Sequence, residues 1–170
     1  MLDTTMTDEL TGLLNRQGLM FLGQYAMSSA NRRAEPLSMV FIHLNEVGQI
    51  NDSFGHQQGN RALVAFSELM RSSFRETDLV ARQGGDEFVL LFNATNDEGA
   101  FIAMQHLQGK VTDFNQRAEN PWMLSFRWGS VEFDPHRHLC LEDVITEAGR
   151  AMYQAKSSGA ERPGKGYEKL

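Results

Sequence analysis

Near the middle of the chain, Gly84-Gly85-Asp86-Glu87-Phe88 joins backbone freedom to two adjacent carboxylates. The glycines let the main chain turn tightly and let a ligand approach it closely. Carboxylates directly after them can hold a hard cation through oxygen. Leu79-Val80-Ala81 before this stretch and Phe88-Val89-Leu90-Leu91-Phe92 after it read as strands, which puts the polar residues at a hairpin tip. Gly-Gly-Asp is also ordinary turn chemistry, so these five residues alone do not decide between a site and a turn. Other chemistry-bearing residues are weaker. His136, His138 and Cys140 alternate as zinc ligands could, but no second ligand pair lies nearby in sequence. Cys140 reads as a small buried hydrophobe rather than a nucleophile. Gly164-Lys165-Gly166 lacks the spacing of a P-loop.

The elements that must position the hairpin follow from hydrophobic periodicity. Leu19, Leu22 and Ala26 mark a first helix that ends before Pro36. Met39 to Leu44 is a short, nearly continuous apolar run, as expected of a central strand. Leu63, Phe66, Met70 and Phe74 lie three to four residues apart and give a helix with one buried stripe. Ala100, Met104, Leu107, Val111 and Phe114 fit another. Trp122, Leu124, Phe126 and Trp128 alternate as one face of a strand, and the phase slips at Gly129-Ser130, which predicts a bulge or bend. Leu141, Ile145, Ala148, Met152 and Ala155 make a last helix, with Gly159 as its stop and Ser157 to Gly166 as a loop. Helices alternate with strands and two strands form a hairpin. The expected class is α+β: a central, mostly antiparallel sheet flanked by helices.

Composition narrows the function classes. The 170 residues, with 41% apolar and 22% charged side chains, suffice for one domain with a real core and exclude a disordered or fibrous chain. No apolar run reaches the roughly 18 residues of a membrane span, so no membrane contact is expected from this segment. The net charge of −6 argues against a broad DNA- or RNA-binding face but not against a small nucleotide held by local contacts. The single Cys140 cannot form an internal disulfide, and Met1 to Leu10 is polar without Lys or Arg. Both suit a domain in the cytoplasm, whether or not the full-length protein is anchored elsewhere.

Four stretches, in order and at matching spacing, resemble the motifs of the GGDEF-domain family, the diguanylate cyclases. They are Asp8-Glu-Leu-Thr-Gly-Leu-Leu-Asn-Arg16, Ile50-Asn-Asp-Ser-Phe-Gly-His-Gln-Gln-Gly59, Arg82-Gln-Gly-Gly-Asp-Glu-Phe88 and Ala151-Met-Tyr-Gln-Ala-Lys156. The resemblance runs from about Thr7 to the end, so residues 1–170 read as a single GGDEF domain. It implies a fold like the adenylyl cyclase catalytic domain, ferredoxin-like, with the signature on a hairpin. It implies that each subunit binds one GTP and a divalent metal, Mg²⁺ or Mn²⁺. Two facing subunits would then condense two GTP into cyclic di-GMP and pyrophosphate. It also implies a larger signalling protein with sensory or phosphodiesterase domains, and a homodimer during catalysis.

Carried over residue by residue, the resemblance makes Asp86 a metal carboxylate, Glu87 its acidic catalytic neighbour, Asn51 a guanine contact and Lys156 a phosphate contact, with Gly84 and Gly85 lining the GTP site. Arg82 matches the arginine before the hairpin; Asp8 and Arg16 match positions that look structural. Other positions depart from the pattern. An Asp-x-Asp is expected at the end of the first strand, where this chain has His43-Leu44-Asn45. That leaves the Leu44 carbonyl as an oxygen ligand and His43 as a poor one for Mg²⁺. Gly48 replaces a phosphate-binding lysine, Asn60 a guanine-binding aspartate and Ala160 a phosphate-binding arginine. Gly149 stands where the last helix usually has Asp. Losing the two cationic contacts would cost roughly 3–6 kcal/mol, about 10²–10⁴-fold in triphosphate affinity. Weak or absent cyclase activity is the expectation; the alternatives are an active cyclase with other ligands and a ligand-free dimerisation module.

Arg75-Glu76-Thr77-Asp78 resembles the family's inhibitory Arg-x-x-Asp motif. The resemblance implies cyclic di-GMP bound through Arg75 and Asp78, the fork on guanine or phosphate and the carboxylate on guanine N–H groups. The plainer reading is a cation at a helix C-terminus followed by an Asp that starts a loop.

Overall fold

A computed structural model describes residues 4–158, with side chains for residues 5–155. After a short turn at Thr4–Met6 come α1 (Arg16–Arg33), β1 (Leu37–Leu44), α2 (Val47–Phe54), α3 (His56–Ser73) and β2 (Leu79–Gly84). There follow β3 (Glu87–Asn93), α4 (Asp97–Arg117), β4 (Phe126–Glu132) and α5 (Leu141–Ser158). The strands form one sheet in the order β2-β3-β1-β4, with every neighbouring pair antiparallel. The fold is the expected α+β layout.

β1 is apolar almost throughout because both faces of the sheet are covered. Val40, Ile42 and Leu44 join Phe88, Leu90 and Phe92 of β3 in a core with Phe66 and Met70 of α3 and Met104, Leu107 and Val111 of α4. Met39 and Phe41 join Val89 and Leu91 in a second core with Leu19 of α1 and Val144, Ala148 and Met152 of α5.

The same two-sided burial corrects the reading of β4. Ser130 pairs with Val40, Gly129 with Phe41 and Trp128 with Ile42 in unbroken register, so no bulge is present. Phe126 and Trp128 face the α3/α4 core and Val131 the α1/α5 core. The slip in hydrophobic phase marks a change in which face carries the large side chains. Gly129 is fixed by close packing: a Cβ there would come 2.3 Å from the backbone nitrogen of Met152 on α5. Trp122 and Leu124 are buried but precede the strand. They join the α3/α4 core from a loop that the Asn115 side chain pins at Leu124 with two 2.8 Å hydrogen bonds.

α2 is absent from the periodicity reading because its eight residues bury only Val47 and Ile50. Gly55, at φ +97°, breaks α2 from α3. At the other end of the chain α5 runs through Ser158, two residues into the expected loop. The expected stop Gly159, Ala160 and the rest of that loop lie outside the described residues. Among the described residues no helix is long and apolar enough to cross a membrane.

Candidate functional site

The hairpin of β2 and β3 places Gly84, Gly85, Asp86 and Glu87 at one end of the sheet. Gly85 has φ +52°, a left-handed conformation that favours glycine, and a Cβ on Gly84 or Gly85 would meet only open space. The register shifts between Arg82 and Gly84. Arg82 Nε donates to the Gly85 carbonyl at 2.8 Å and Arg82 Nη1 to both Asp8 oxygens at 3.1 and 3.2 Å. Asp8 in turn accepts from the Thr11 backbone N–H and hydroxyl, at 2.9 and 2.7 Å. Burial pushes the Asp8 carboxyl up, but the Thr11 and Arg82 donors outweigh it and hold the group below its ordinary range. Leu14 adds a parallel bridge to Ala81. Arg82 and Asp8 therefore tie the N-terminal segment to the hairpin. Arg16 lies 3.8 Å from Glu142 of α5, at the surface.

The end of β1 lies beside the hairpin. His43 pairs with Glu87 in register, and the Leu44 N–H donates to the Asp86 carbonyl at 2.9 Å. His43 Nε2 stands 3.1 Å from Asp86 Oδ2, and His43 Nδ1 stands 3.3 Å from Asn45 Oδ1. The Asn45 amide nitrogen donates to Ser125 Oγ at 3.2 Å. Glu87 accepts from the Tyr153 hydroxyl at 3.1 Å. That hydrogen bond, then the Glu87 charge, burial and the Asp86 charge, push the Tyr153 phenol up.

These residues do not fit a two-ion Mg²⁺ cage. Mg²⁺ takes octahedral oxygen. Here an imidazole faces the Asp86 carboxylate where a second carboxylate is expected. Among the described residues no group of three or more His, Cys, Asp or Glu stands ready to hold a metal ion.

The positions expected to contact nucleotide outside the hairpin divide between α2, α3 and α5. Asn51 on α2 lies over Gly59 of α3: a Cβ at Gly59 would come 1.7 Å from Asn51 Oδ1, which is buried without a hydrogen-bond partner. Asn60 is exposed and borders a cleft of about 460 Å³ with Leu10, Arg61 and Trp122. Gly48, in the first turn of α2, has nothing within 4 Å of a would-be Cβ. Lys156 lies on the last turns of α5, and its side chain falls outside the described residues.

Arg75 and Asp78 lie at the opposite end of β2. Asp78 Oδ1 accepts from Arg75 Nη2 at 2.9 Å and from the Asn93 N–H at 3.3 Å; Oδ2 accepts from Arg75 Nε at 3.2 Å and the Arg75 N–H at 3.1 Å. Arg75 Nη2 also donates to the Asn93 carbonyl and Thr95 Oγ1. The Asp78 side chain is 3% exposed and that of Arg75 58%. The two residues thus come together, but as a pair in which the buried carboxylate orients the exposed fork. The hydrogen bond and charge of Asp78 raise the guanidinium pKa, against the opposing effect of burial. Arg75 borders two clefts, one of about 510 Å³ with Phe74, Asn96 and His106, the other of about 470 Å³ with Leu14, Arg71 and Leu79.

The His136-His138-Cys140 cluster is not gathered as a metal site. His138 is buried; its Nδ1 accepts from the Asp134 N–H at 2.9 Å and its Nε2 lies 2.8 Å from Glu147. Sequence reasoning missed the second layer around the hairpin, Asn45, Ser125 and Tyr153. Only Tyr153 had a signal: it lies three residues before Lys156, one helical turn away on α5.

The diguanylate cyclase GGDEF-domain profile matches residues 5–162, and the chain belongs to that family. Over 152 residues, 89% of this chain and 19% of the relative, it is 33% identical to the cyclic di-GMP phosphodiesterase NbdA of Pseudomonas aeruginosa. Over 157 residues it is 31% identical to the diguanylate cyclase DosC of Escherichia coli, covering 91% of this chain and 34% of that protein. The chain thus spans about a fifth and about a third of these two relatives. A solved microbial GGDEF domain, described with a novel interaction mode toward bis-(3′,5′)-cyclic di-GMP, superposes with a TM-score of 0.79 at 26% identity, covering 93% and 94% of the two chains. This is a GGDEF domain of bacterial cyclic di-GMP signalling.

Proposed function

We propose that this domain binds cyclic di-GMP through its Arg75 end and that its hairpin end has weak or no cyclase activity. The observation that carries the reading is the Arg75–Asp78 pair, a guanidinium fork held from behind by a buried carboxylate at the border of two clefts. Such a fork is preorganised for bidentate contact with a phosphate or a guanine edge. Asp78 acts here as a positioning residue, and Arg75 is the contact. The known interaction of a similar GGDEF domain with cyclic di-GMP supports the ligand class. Calorimetry with cyclic di-GMP tests it: Arg75→Ala is expected to weaken binding by about tenfold or more. Unchanged affinity ends this part of the proposal.

The cyclase half rests on Gly48, Asn60 and the imidazole at His43, which replace a phosphate lysine, a guanine carboxylate and a metal carboxylate. Incubation with GTP and Mg²⁺ or Mn²⁺, followed by product chromatography, is expected to give little cyclic di-GMP; robust conversion overturns it. An active cyclase, working as a homodimer on GTP, is the second reading. The unaltered Gly84 to Phe88 hairpin favours it.

A further inference from the structure

The loop between β4 and α5 is closed by a histidine held in one tautomer. His138 has a side chain only 2% exposed, and its ring stacks on Phe133 with centroids 6.0 Å apart. Nδ1 accepts from the Asp134 backbone N–H at 2.9 Å. A backbone N–H can only donate, so Nδ1 holds a lone pair and Nε2 carries the hydrogen of a neutral imidazole. Nε2 donates that hydrogen to Glu147 Oε1 on α5 at 2.8 Å. The ring thus ties the start of the loop to α5. The rest of the loop is wound on Asp134. Its carbonyl accepts from the Arg137 and His138 N–H groups at 3.0 and 2.8 Å, and its carboxylate accepts from the His136 N–H at 2.9 Å.

We propose that His138 is an acid-sensitive latch: a proton taken up at Nδ1 displaces the Asp134 N–H and opens the loop over 134–140 at the start of α5. Protonation sets two donors against each other where water does not reach. The charges around the ring pull the other way. Glu147 comes from α5 and the Asp134 carboxylate from the loop; Asp143 of α5 accepts from the Leu139 N–H at 2.9 Å. β1 offers only the Leu37 carbonyl, to the Phe133 N–H, and Arg16 of α1 pairs with Glu142 at the surface. Arg137 donates to both Glu147 oxygens at 2.7 and 3.3 Å and stands 3.7 Å from the Asp134 carboxylate. Much of the carboxylates' attraction is thus already spent, and solvent screens the rest. The buried clash of donors is not screened, and it decides the outcome. The Arg137 and His138 donors hold the Glu147 carboxyl below its ordinary range, so Glu147 stays charged in the interval where histidine titrates. The open loop binds one proton more than the closed loop, so closure weakens as pH falls.

Amide hydrogen exchange of the full chain, read by nuclear magnetic resonance and corrected for its intrinsic pH dependence, provides the test. Between about pH 7 and pH 5 the protection of the Asp134 amide is expected to fall by about tenfold or more, while that of Val40 in β1 holds within about twofold. Imidazole ¹⁵N shifts of His138 should show the Nε2–H tautomer at the upper pH and the cation as protection is lost. His138→Asn keeps an acceptor for the Asp134 N–H but takes up no proton, and should hold Asp134 protection constant. His136→Gln changes the exposed neighbour and should leave the fall in place. Protection that does not change with pH overturns the proposal. So does a ring that is cationic at the upper pH, or one that becomes cationic while the loop stays closed. A fall that disappears in His136→Gln, or persists in folded His138→Asn, assigns the sensing to another group and also overturns it. Tautomer and protection are both read in the native chain, so they decide the matter even if His138→Asn does not fold.

Discussion

The two ends of β2 hold polar residues in opposite ways. At the end that begins the strand, Asp78 is buried and accepts four hydrogen bonds, from Arg75 and from the backbone of β3. The groups that could meet a ligand there also close the fold. At the hairpin end the two tasks are divided. Arg82, Asp8 and Thr11 hold the hairpin in place, while Gly48 and Asn60 stand in open space or at the surface. Side chains at Gly48 and Asn60 can change without disturbing the architecture, because neither residue belongs to the core. Six residues of strand, about 20 Å, separate the two ends.

The largest expected effect breaks the end that does both tasks. Asp78→Ala leaves the Arg75 fork and two backbone N–H groups without their acceptor, at an expected cost of about 2–4 kcal/mol. Urea unfolding measures it, and a loss below about 1 kcal/mol would show that the pair is ornamental to the fold. Gly48→Lys probes the other end. A lysine grows there into open space, so stability should hold within about 0.5 kcal/mol while triphosphate affinity rises by about 1.5–3 kcal/mol, roughly 10–10²-fold. Titration with a fluorescent GTP analogue reads the gain. No gain would mean that the α2 turn does not face the phosphates.

This division also explains what the sequence made legible. The hairpin, β1 and the four long helices were readable because each carries an apolar stripe of the right period, and the two-sided burial of β1 gives its unbroken run. The phase slip at Gly129-Ser130 misled because a sheet covered on both faces can change the loaded face without a bulge. α2 was hidden because eight residues with two buried side chains leave too short a pattern. At the site, Asp86 and Glu87 were visible as a motif. The facing of His43 to Asp86 and of Tyr153 to Glu87 was not, since strand register and helix docking create both contacts. The Arg75–Asp78 motif was legible as a spacing, but its inward pairing depends on Asn93 and Thr95, fifteen or more residues away.

A smaller effect sharpens the claim that the hairpin is held by its own bracing. Asp8 is held below the ordinary carboxylate range, so the folded state binds fewer protons than the unfolded state near pH 4. Its stabilisation is present above about pH 4 and is lost as pH falls through the depressed folded-state value. Asp8→Asn is expected to cost about 1–2 kcal/mol at neutral pH and to flatten the acid limb of stability against pH. Urea midpoints across that limb test both statements. An unchanged acid limb would assign the slope to other carboxylates.

The smallest effect concerns the hairpin's outer contact. Tyr153 is half-exposed and donates to Glu87 across 66 residues of sequence. An exposed bond of this kind contributes about 0.5 kcal/mol or less, so Tyr153→Phe should unfold at nearly the native urea concentration. The electrostatics are more sensitive than the stability. Ionising the phenol gives up the hydrogen bond it donates to Glu87 and sets two negative charges together, and both raise its pKa above the ordinary value of about 10. Glu87→Gln removes the charge and should bring the phenol back down, as read by ultraviolet titration against the Tyr153→Phe background. A large stability loss in Tyr153→Phe would make this end of the sheet resemble the Asp78 end, with the carboxylate part of the fold's closure, and would dissolve the contrast between them. A small loss with a lowered phenol pKa in Glu87→Gln would keep Glu87 outside the core, as a charge presented at the surface of a hairpin that stands without it.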